Sequence, residues 1–394
     1  MSFFISKILL ATLLIVSISF NIVSVRAQTF QGFANGWKKT DTYFQNTLKE
    51  NQIVGGALLF LEKGEVKGSR YYGMADISQQ RAVDENTIFH WASITKTFTA
   101  IAIMQLRDRG LLTLDDPVTK YLPELRKVHN PYGSTDDITI KTVLSHSAGF
   151  RDPSWPWGGN QDWHPFEPTE WSQIVAMLPY TEILFEPGSK FSYSNPAIIF
   201  LGRIIEMLSG DDYEVYIDKN ILKPLEMYSS YYDITPYHLL KFRANNYTIR
   251  DGEPQPNGLD FDTGITTSNG GLNAPLKDMI KYLNFLTGQP ESYEILKRSS
   301  LEELWEEQLP ISESNGITSS VALSFFPEAF DGMQVVGHTG TQKSFYSFFY
   351  LHPPSQTACI AITNTNSEGE MPNPDQIRLD MSHFVFGHLF TLYK

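Results

Sequence analysis

Strand-forming runs lie at both ends of this chain and helix-forming runs fill its middle, an order that few architectures accommodate. Val54 to Leu61 (VGGALLFL) and Gly68 to Ala75 read as strands, and Lys63-Gly64-Glu65 between them reads as a hairpin turn. An amphipathic stretch, Phe33 to Leu48, precedes them, with Phe33, Trp37, Phe44 and Leu48 on its apolar side. From about Ile88 the period changes. Ser93 to Arg109 is helical with Gly110 as its stop, and Ile138 to Leu144, Glu170 to Leu178, Pro196 to Leu208 and Tyr213 to Leu222 follow as further helices. Gly210 closes the Pro196 helix, and Pro275 opens another that runs to Leu286. From Ile317 the strand signal returns in Val321 to Phe326, Met333 to Gly337, Phe345 to Leu351 and Thr357 to Thr363, and Asp375 to Leu389 reads as a closing helix. This order predicts an α/β (α+β) chain. Its two ends, about 28–88 and 317–394, join into one antiparallel sheet flanked by terminal helices, and about 89–316 forms a second, mostly helical lobe. A cleft between such lobes is a natural place for a site.

Hydrophobic residues make up 42% of the 394 and charged residues 19%, which supports a large core and excludes a disordered or fibrous chain. Residues 1–27 differ from the rest. Met1 to Lys7 carries one positive charge, Ile8 to Phe20 is almost wholly apolar, and Val25-Arg26-Ala27 places small residues where a signal peptidase needs them. This shape predicts a signal peptide cleaved after Ala27, and so a secreted or periplasmic protein. An uncleaved N-terminal anchor is the alternative reading, but the apolar run is shorter than the ~20 residues of a membrane-spanning helix, so no stable membrane span is expected after cleavage. Cys359 is the only cysteine, which precludes an internal disulfide, and its setting in TACIAIT predicts a buried structural thiol. The net charge of −13 argues against nucleic acid or an anionic membrane as partner.

Three short motifs carry chemistry. Ser93-Ile94-Thr95-Lys96 opens a long helix, and residues three apart share a helix face, so Lys96 can sit beneath Ser93. A serine hydroxyl is a weak nucleophile until a base takes its proton, and a lysine in a suitable setting can do so. Ser93 can equally be a helix N-cap with no further role. Tyr193-Ser194-Asn195 sits on a loop just before a helix. A tyrosine near a lysine can shuttle a proton, and an Asn side chain can donate to a substrate carbonyl; the same residues also suit a turn with an Asn cap. His338-Thr339-Gly340-Thr341 follows a strand. Gly340 permits a backbone to approach closely, and the amides of Thr341 and Ser93 can form an oxyanion hole; alone, His338 reads as a strand-end polar residue.

In order and approximate spacing, these motifs resemble those of the class C β-lactamase and penicillin-binding-protein family, which also holds esterases and D-amino-acid peptidases and uses S-x-x-K, Y-x-N and K/H-T-G. The resemblance extends to Phe89-His90-Trp91-Ala92 before the first motif, to LLTLDDPVTKYL (111–122), to IKTVLSHSAGF (140–150), and to Gly270-Gly271-Leu272 with Leu276 to Met279. It covers nearly all of residues 40 to 365. It implies a β-lactamase/transpeptidase-like two-lobe fold and an acyl-enzyme on Ser93. In that cycle Lys96 and Tyr193 manage the proton, the amides of Ser93 and Thr341 hold the oxyanion, Asn195 touches the acyl side chain, and His338 binds substrate or supports Tyr193. It implies no metal or other cofactor, and a small-molecule or peptide-like acyl substrate.

One departure stands out: β-lactamases of this class usually carry Lys in the third motif, where this chain has His338, neutral much of the time near pH 7. Lys343, in Gln342-Lys343-Ser344, is a candidate to restore the charge or else faces solvent. There is no G-x-S-x-G nucleophile elbow. His146 is the alternative base, expected instead to pack a loop. Asp115-Asp116 reads as a turn, and Trp155, Trp157 and Trp163 as a substrate wall or a packed loop. These readings favour an esterase or acyl hydrolase over a D-amino-acid peptidase or β-lactamase. The alternative is a penicillin-binding or receptor-like protein that acylates without efficient hydrolysis.

Overall fold

The strand Gly55–Glu62 (GGALLFLE) divides its side chains between two separate cores, which is why it reads as a nearly continuous apolar run. Ala57, Leu59 and Leu61 face a large core shared with the helical part of the chain. Leu58 and Phe60 face a smaller core built with Phe44, Leu48, Met381, Val385 and Phe386 of the terminal helices. The computed structural model describes residues 31–151, 168–232, 234–259, 263–288, 294–367 and 373–394. The expected signal segment 1–27 and the loop carrying Trp155, Trp157 and Trp163 lie outside the described residues.

Nine strands form one sheet in the spatial order Arg81–Ala82, Glu65–Asp76, Gly55–Glu62, Thr357–Thr363, Phe345–His352, Met333–Gln342, Phe326–Phe330, Ile317–Val321 and Leu309–Ser314. Every pairing in it is antiparallel. The seam between the two ends of the chain pairs Ala57 with Ile362, Leu59 with Ile360 and Leu61 with Ala358. The sheet is thus closed by residues some three hundred positions apart, as the order of runs in the sequence predicts.

Helix 31–50 and the closing helix Pro374–His388 cover one face. Aromatic rings fasten them there. Phe60 lies 5.4 Å from Phe33 and 5.5 Å from Phe390, Tyr43 stacks on Phe384 at 4.0 Å, and Phe330 stacks on Phe386 at 4.8 Å. Such pairs add about 0.5–1.5 kcal/mol each beyond their buried area. Cys359 sits beside Phe60 and Tyr350 in the register, fully buried, and burial pushes its thiol up, so it is the structural thiol expected. The other face carries the helical part of the chain, centred on Thr95–Asp108, Asn195–Ser209 and Leu276–Thr287. Among the described residues no helix is long and apolar enough to cross a membrane.

Three expectations need correction. Val321 to Phe326 is not a strand: Ile317–Val321 and Phe326–Phe330 are separate strands joined by a turn with Ser324 at φ 59°. The run is apolar because the turn is tucked into the core, where Ala322, Leu323 and Phe325 are buried and the Ser324 amide donates to the Leu144 carbonyl. The sheet also resumes before Ile317, with Leu309–Ser314, a mostly exposed edge strand whose polar PISES sequence hides it. Finally, Ser93 is not in the α-helix itself. Ala92–Ile94 is a separate single turn, and the helix runs Thr95–Asp108.

Candidate functional site

Backbone constraints place Ser93. Ile88–His90 pairs antiparallel with Leu272–Pro275, and the Trp91 amide donates to the Leu272 carbonyl at 2.8 Å. Ala92 then takes φ 50°, a conformation costly for a residue with a Cβ, and the chain reverses into the turn and helix. The turn is anchored from below: Thr95 Oγ1 accepts from the Leu272 amide at 3.0 Å, and the buried Trp91 indole donates to the Ala274 carbonyl at 2.9 Å. Ser93 is left partly exposed at the mouth of a cleft of about 430 Å³.

Lys96 lies fully buried one turn below. Its Nζ donates to Ser93 Oγ at 2.9 Å and to the Asn269 carbonyl at 2.7 Å, and it stands 5.1 Å from the centre of the Tyr193 ring. A separation of 2.9 Å is within proton-transfer reach. Tyr193 leads into the helix Asn195–Ser209, which is capped by Ser194, whose Oγ accepts from the Ala197 amide at 3.3 Å. The cap is therefore Ser194 and not Asn195, and Asn195 lines the cleft beside Ser93 and Tyr193.

The third motif arrives on the strand Met333–Gln342. A Cβ at Gly340 would meet the Trp91 carbonyl oxygen at 2.3 Å, so only glycine lets this strand lie against the Ser93 turn. That contact brings the backbone of Thr341 to the Ser93 turn. His338 and Thr339 line the cleft beyond it. Lys343, by contrast, sits at the exposed hairpin turn with φ 54° and is not among the residues lining the cleft.

Two histidines border the buried lysine, and both are held neutral. Burial, with Lys96 and Arg378 nearby, depresses His338 to about 3 against the bond its ring makes to the Thr339 carbonyl. Burial, with Lys96 and His338 nearby, also puts His146 well below its usual range. His338 Nδ1 donates to the Thr339 carbonyl, which leaves Nε2 as a buried lone pair without a partner among the described residues. His146 Nδ1 accepts from the Ser194 amide at 3.2 Å, which leaves Nε2 as a buried N–H without a partner among the described residues. Its ring stacks on Tyr193 at 4.3 Å. His146 thus does more than pack a loop: it holds both the ring and the backbone of the second motif.

The structure brings together Ser93, Lys96, Tyr193, Asn195, His338, Gly340 and Thr341. Asp116 makes a turn as expected: despite the burial that raises it, bonds from Tyr121, the Thr113 amide and Lys120 hold its carboxyl down at about 2. Sequence reasoning missed Asn269, whose carbonyl binds Lys96 and whose side chain donates to the Asn195 carbonyl at 3.3 Å. The adjacent Gly270-Gly271 was the available signal. It also missed Phe326, Glu328, Tyr350 and Arg378 on the far wall of the cleft, for which no local motif exists. Among the described residues no cluster of His, Cys, Asp or Glu could hold a metal ion.

A sequence profile described as Beta-lactamase matches residues 40–380. Protein flp of Staphylococcus aureus (strain COL) is 27% identical over 331 residues, covering 84% of this chain and 64% of that protein, so the chain spans less than two thirds of that relative's length. Penicillin-binding protein 4* of Bacillus subtilis (strain 168) is 24% identical over 380 residues, covering 91% of this chain and 78% of that protein. Among solved structures, the octameric penicillin-binding protein homologue from Pyrococcus abyssi matches with a TM-score of 0.74 at 25% identity, over 89% of this chain and 77% of that one. A class C beta-lactamase matches with a TM-score of 0.72 at 20% identity, over 91% and 97%, a likeness of fold.

Two outcomes follow from the geometry. Gly340→Ala must push the third-motif strand away from the Ser93 turn, and is expected to lower kcat/KM by about 10²-fold or more while the circular dichroism spectrum stays native; near-normal activity would contradict the close approach. The second concerns pH. The folded His338 is depressed to about 3 from an ordinary 6.5, so its neutral form stabilises the protein above pH 6.5, and that stability is lost as pH falls through 6.5 toward 3 while only the unfolded chain takes up the proton. In denaturant titrations from pH 7 to 4, the stability of the wild type relative to His338→Gln is expected to fall by up to about 1.4 kcal/mol per pH unit below 6.5. A constant difference would mean that His338 is not held neutral.

Proposed function

The chain belongs to the beta-lactamase family, and from that premise we propose that it is an exported serine hydrolase that cleaves an ester or amide through an acyl-enzyme on Ser93. The observation that carries this reading is the 2.9 Å contact between Lys96 Nζ and Ser93 Oγ at the mouth of the cleft. Ser93 Oγ attacks the substrate carbonyl carbon, and the hydroxyl proton passes to the Lys96–Tyr193 pair, which needs one of the two groups in its basic form. The amides of Ser93 and Thr341 stabilise the oxyanion. The carbon–leaving-group bond breaks as the leaving group takes the proton from the pair. Water then attacks the acyl carbon, gives its proton to the same pair, and Ser93 leaves with a proton restored. Asn195 meets the acyl side chain. The residue 1–27 segment supports export to the periplasm or the exterior.

Within this chemistry an esterase or broad acyl hydrolase fits best. His338 takes the place of the usual lysine and is buried and neutral, so it offers no fixed charge to the carboxylate of a β-lactam or peptide. D-amino-acid peptidase and β-lactamase activities rank below.

The test is turnover of residues 28–394 on a short-chain aryl ester and a chromogenic cephalosporin, together with intact-mass analysis after a fluorophosphonate. The ester is expected to be turned over at least about tenfold faster than the cephalosporin. One phosphonyl group is expected on the tryptic peptide holding Ser93, and both turnover and label should vanish in Ser93→Ala. Turnover that survives in the variant sinks the assignment. A stable acyl adduct on Ser93 without turnover would mean a binder that does not hydrolyse.

A further inference from the structure

Past Ser93 the cleft continues beyond the chemistry just described. It crosses Phe326 and His338 and ends among Ile311, Ser312, Ser319, Glu328, Tyr350 and Arg378, at the edge hairpin of the sheet. Glu328 lies opposite Ser319 on one neighbouring strand and Val335 on the other, and is only 8% exposed. Its Oε1 accepts from the Tyr350 hydroxyl at 2.6 Å. Its Oε2 is buried and has no partner among the described residues. A buried carboxylate oxygen left unpaired is unusual in a folded protein and points to a partner that arrives from outside.

The nearby cation does not fill that role. Arg378 Nη1 donates to Thr341 Oγ1 at 2.6 Å and is paired with Asp375 of its own helix at 3.1 Å; its Nε is buried without a partner among the described residues, and it forms no ion pair with Glu328. Among the described residues that line the cleft, Glu328 is the only acid. Burial raises its carboxyl above the usual glutamate range, while Tyr350 and Arg378 draw it back down. Around it, Ile311 and Phe326 offer apolar surface, and the hydroxyls of Ser312 and Ser319 offer acceptors for further N–H groups.

We propose that Glu328 forms a subsite for an amino group that the substrate carries on a short apolar stem. The stem lies against Ile311 and Phe326, and the ammonium donates to Glu328 Oε2 and to the serine hydroxyls. This deepens the serine-hydrolase reading and rests on it: the subsite selects cationic esters or amides among those that Ser93 attacks. A methyl end leaves Oε2 unpaired, and a carboxylate end meets like charge.

The test uses aryl esters of 6-aminohexanoic, heptanoic and adipic acids, and acetate esters bearing the same three ends on the alcohol side. Rapid-quench release in the first turnover is measured for the wild type, Glu328→Gln and Glu328→Asp. On one side of the ester the ammonium end is expected to acylate about tenfold or more faster than the methyl end, with the carboxylate end slowest. Glu328→Gln should bring the ammonium-to-methyl ratio near unity, and Glu328→Asp should restore part of it. Equal rates for the three ends on both sides in the wild type overturn the proposal. So does a Gln variant that slows all ends alike, since Glu328 would then only support Tyr350 and the sheet. No release from any ester overturns the serine-hydrolase reading itself, and the subsite falls with it.

Discussion

At one point in this protein two backbones meet with no room for a side chain. A Cβ at position 340 would stand 2.3 Å from the carbonyl oxygen of Trp91, and the strand that carries the third motif can reach the Ser93 turn only because Gly340 has none. The turn is itself held in a costly shape, with Ala92 at φ 50°. Such a conformation costs roughly 1–3 kcal/mol and persists only where surrounding structure enforces it. Here the enforcement comes from Leu272–Pro275, whose strand pairs with Ile88–His90 and binds Trp91 and Thr95. Three remote stretches of chain therefore fix one serine, and the long sheet that unites the two ends holds the third of them in place.

Around that serine the electrostatics are economical. Lys96 is completely buried, and a second cation close by would raise the cost of burying it. The two histidines nearest it are kept neutral by burial and by the lysine itself. His338 in the third motif thus leaves Lys96 without a cationic neighbour at that position, at the expense of a fixed anchor for a substrate carboxylate. Farther out, the cleft is lined by one acid, Glu328, and by Arg378.

Much of this could be read from the sequence because it rests on local pattern. The short apolar run of Thr357–Thr363, the period near 3.6 in Asn195–Ser209 and the Gly210 stop are each written within a few residues, as are the three motifs. What escaped depends on distant partners. The apolar run at Val321 to Phe326 has strand composition, but its turn is buried because Ser324 binds Leu144. Leu309–Ser314 is an exposed edge strand with no apolar alternation to betray it. Glu328 and Arg378 have no motif at all, and only the sheet and the closing helix carry them to the cleft. His146 was visible, but its stacking on Tyr193 required the fold.

On the function proposed above, the Ser93 turn and the third-motif strand form one acyl-transfer centre. A crystal structure of the protein after reaction with an aryl phosphonate tests it most directly. Phosphorus is expected to be bonded to Ser93 Oγ, with one phosphoryl oxygen within about 3 Å of both the Ser93 and Thr341 amides and Lys96 Nζ still beside Oγ. A phosphonyl group on another residue, or one on Ser93 whose oxygen points to solvent away from Thr341, would contradict it.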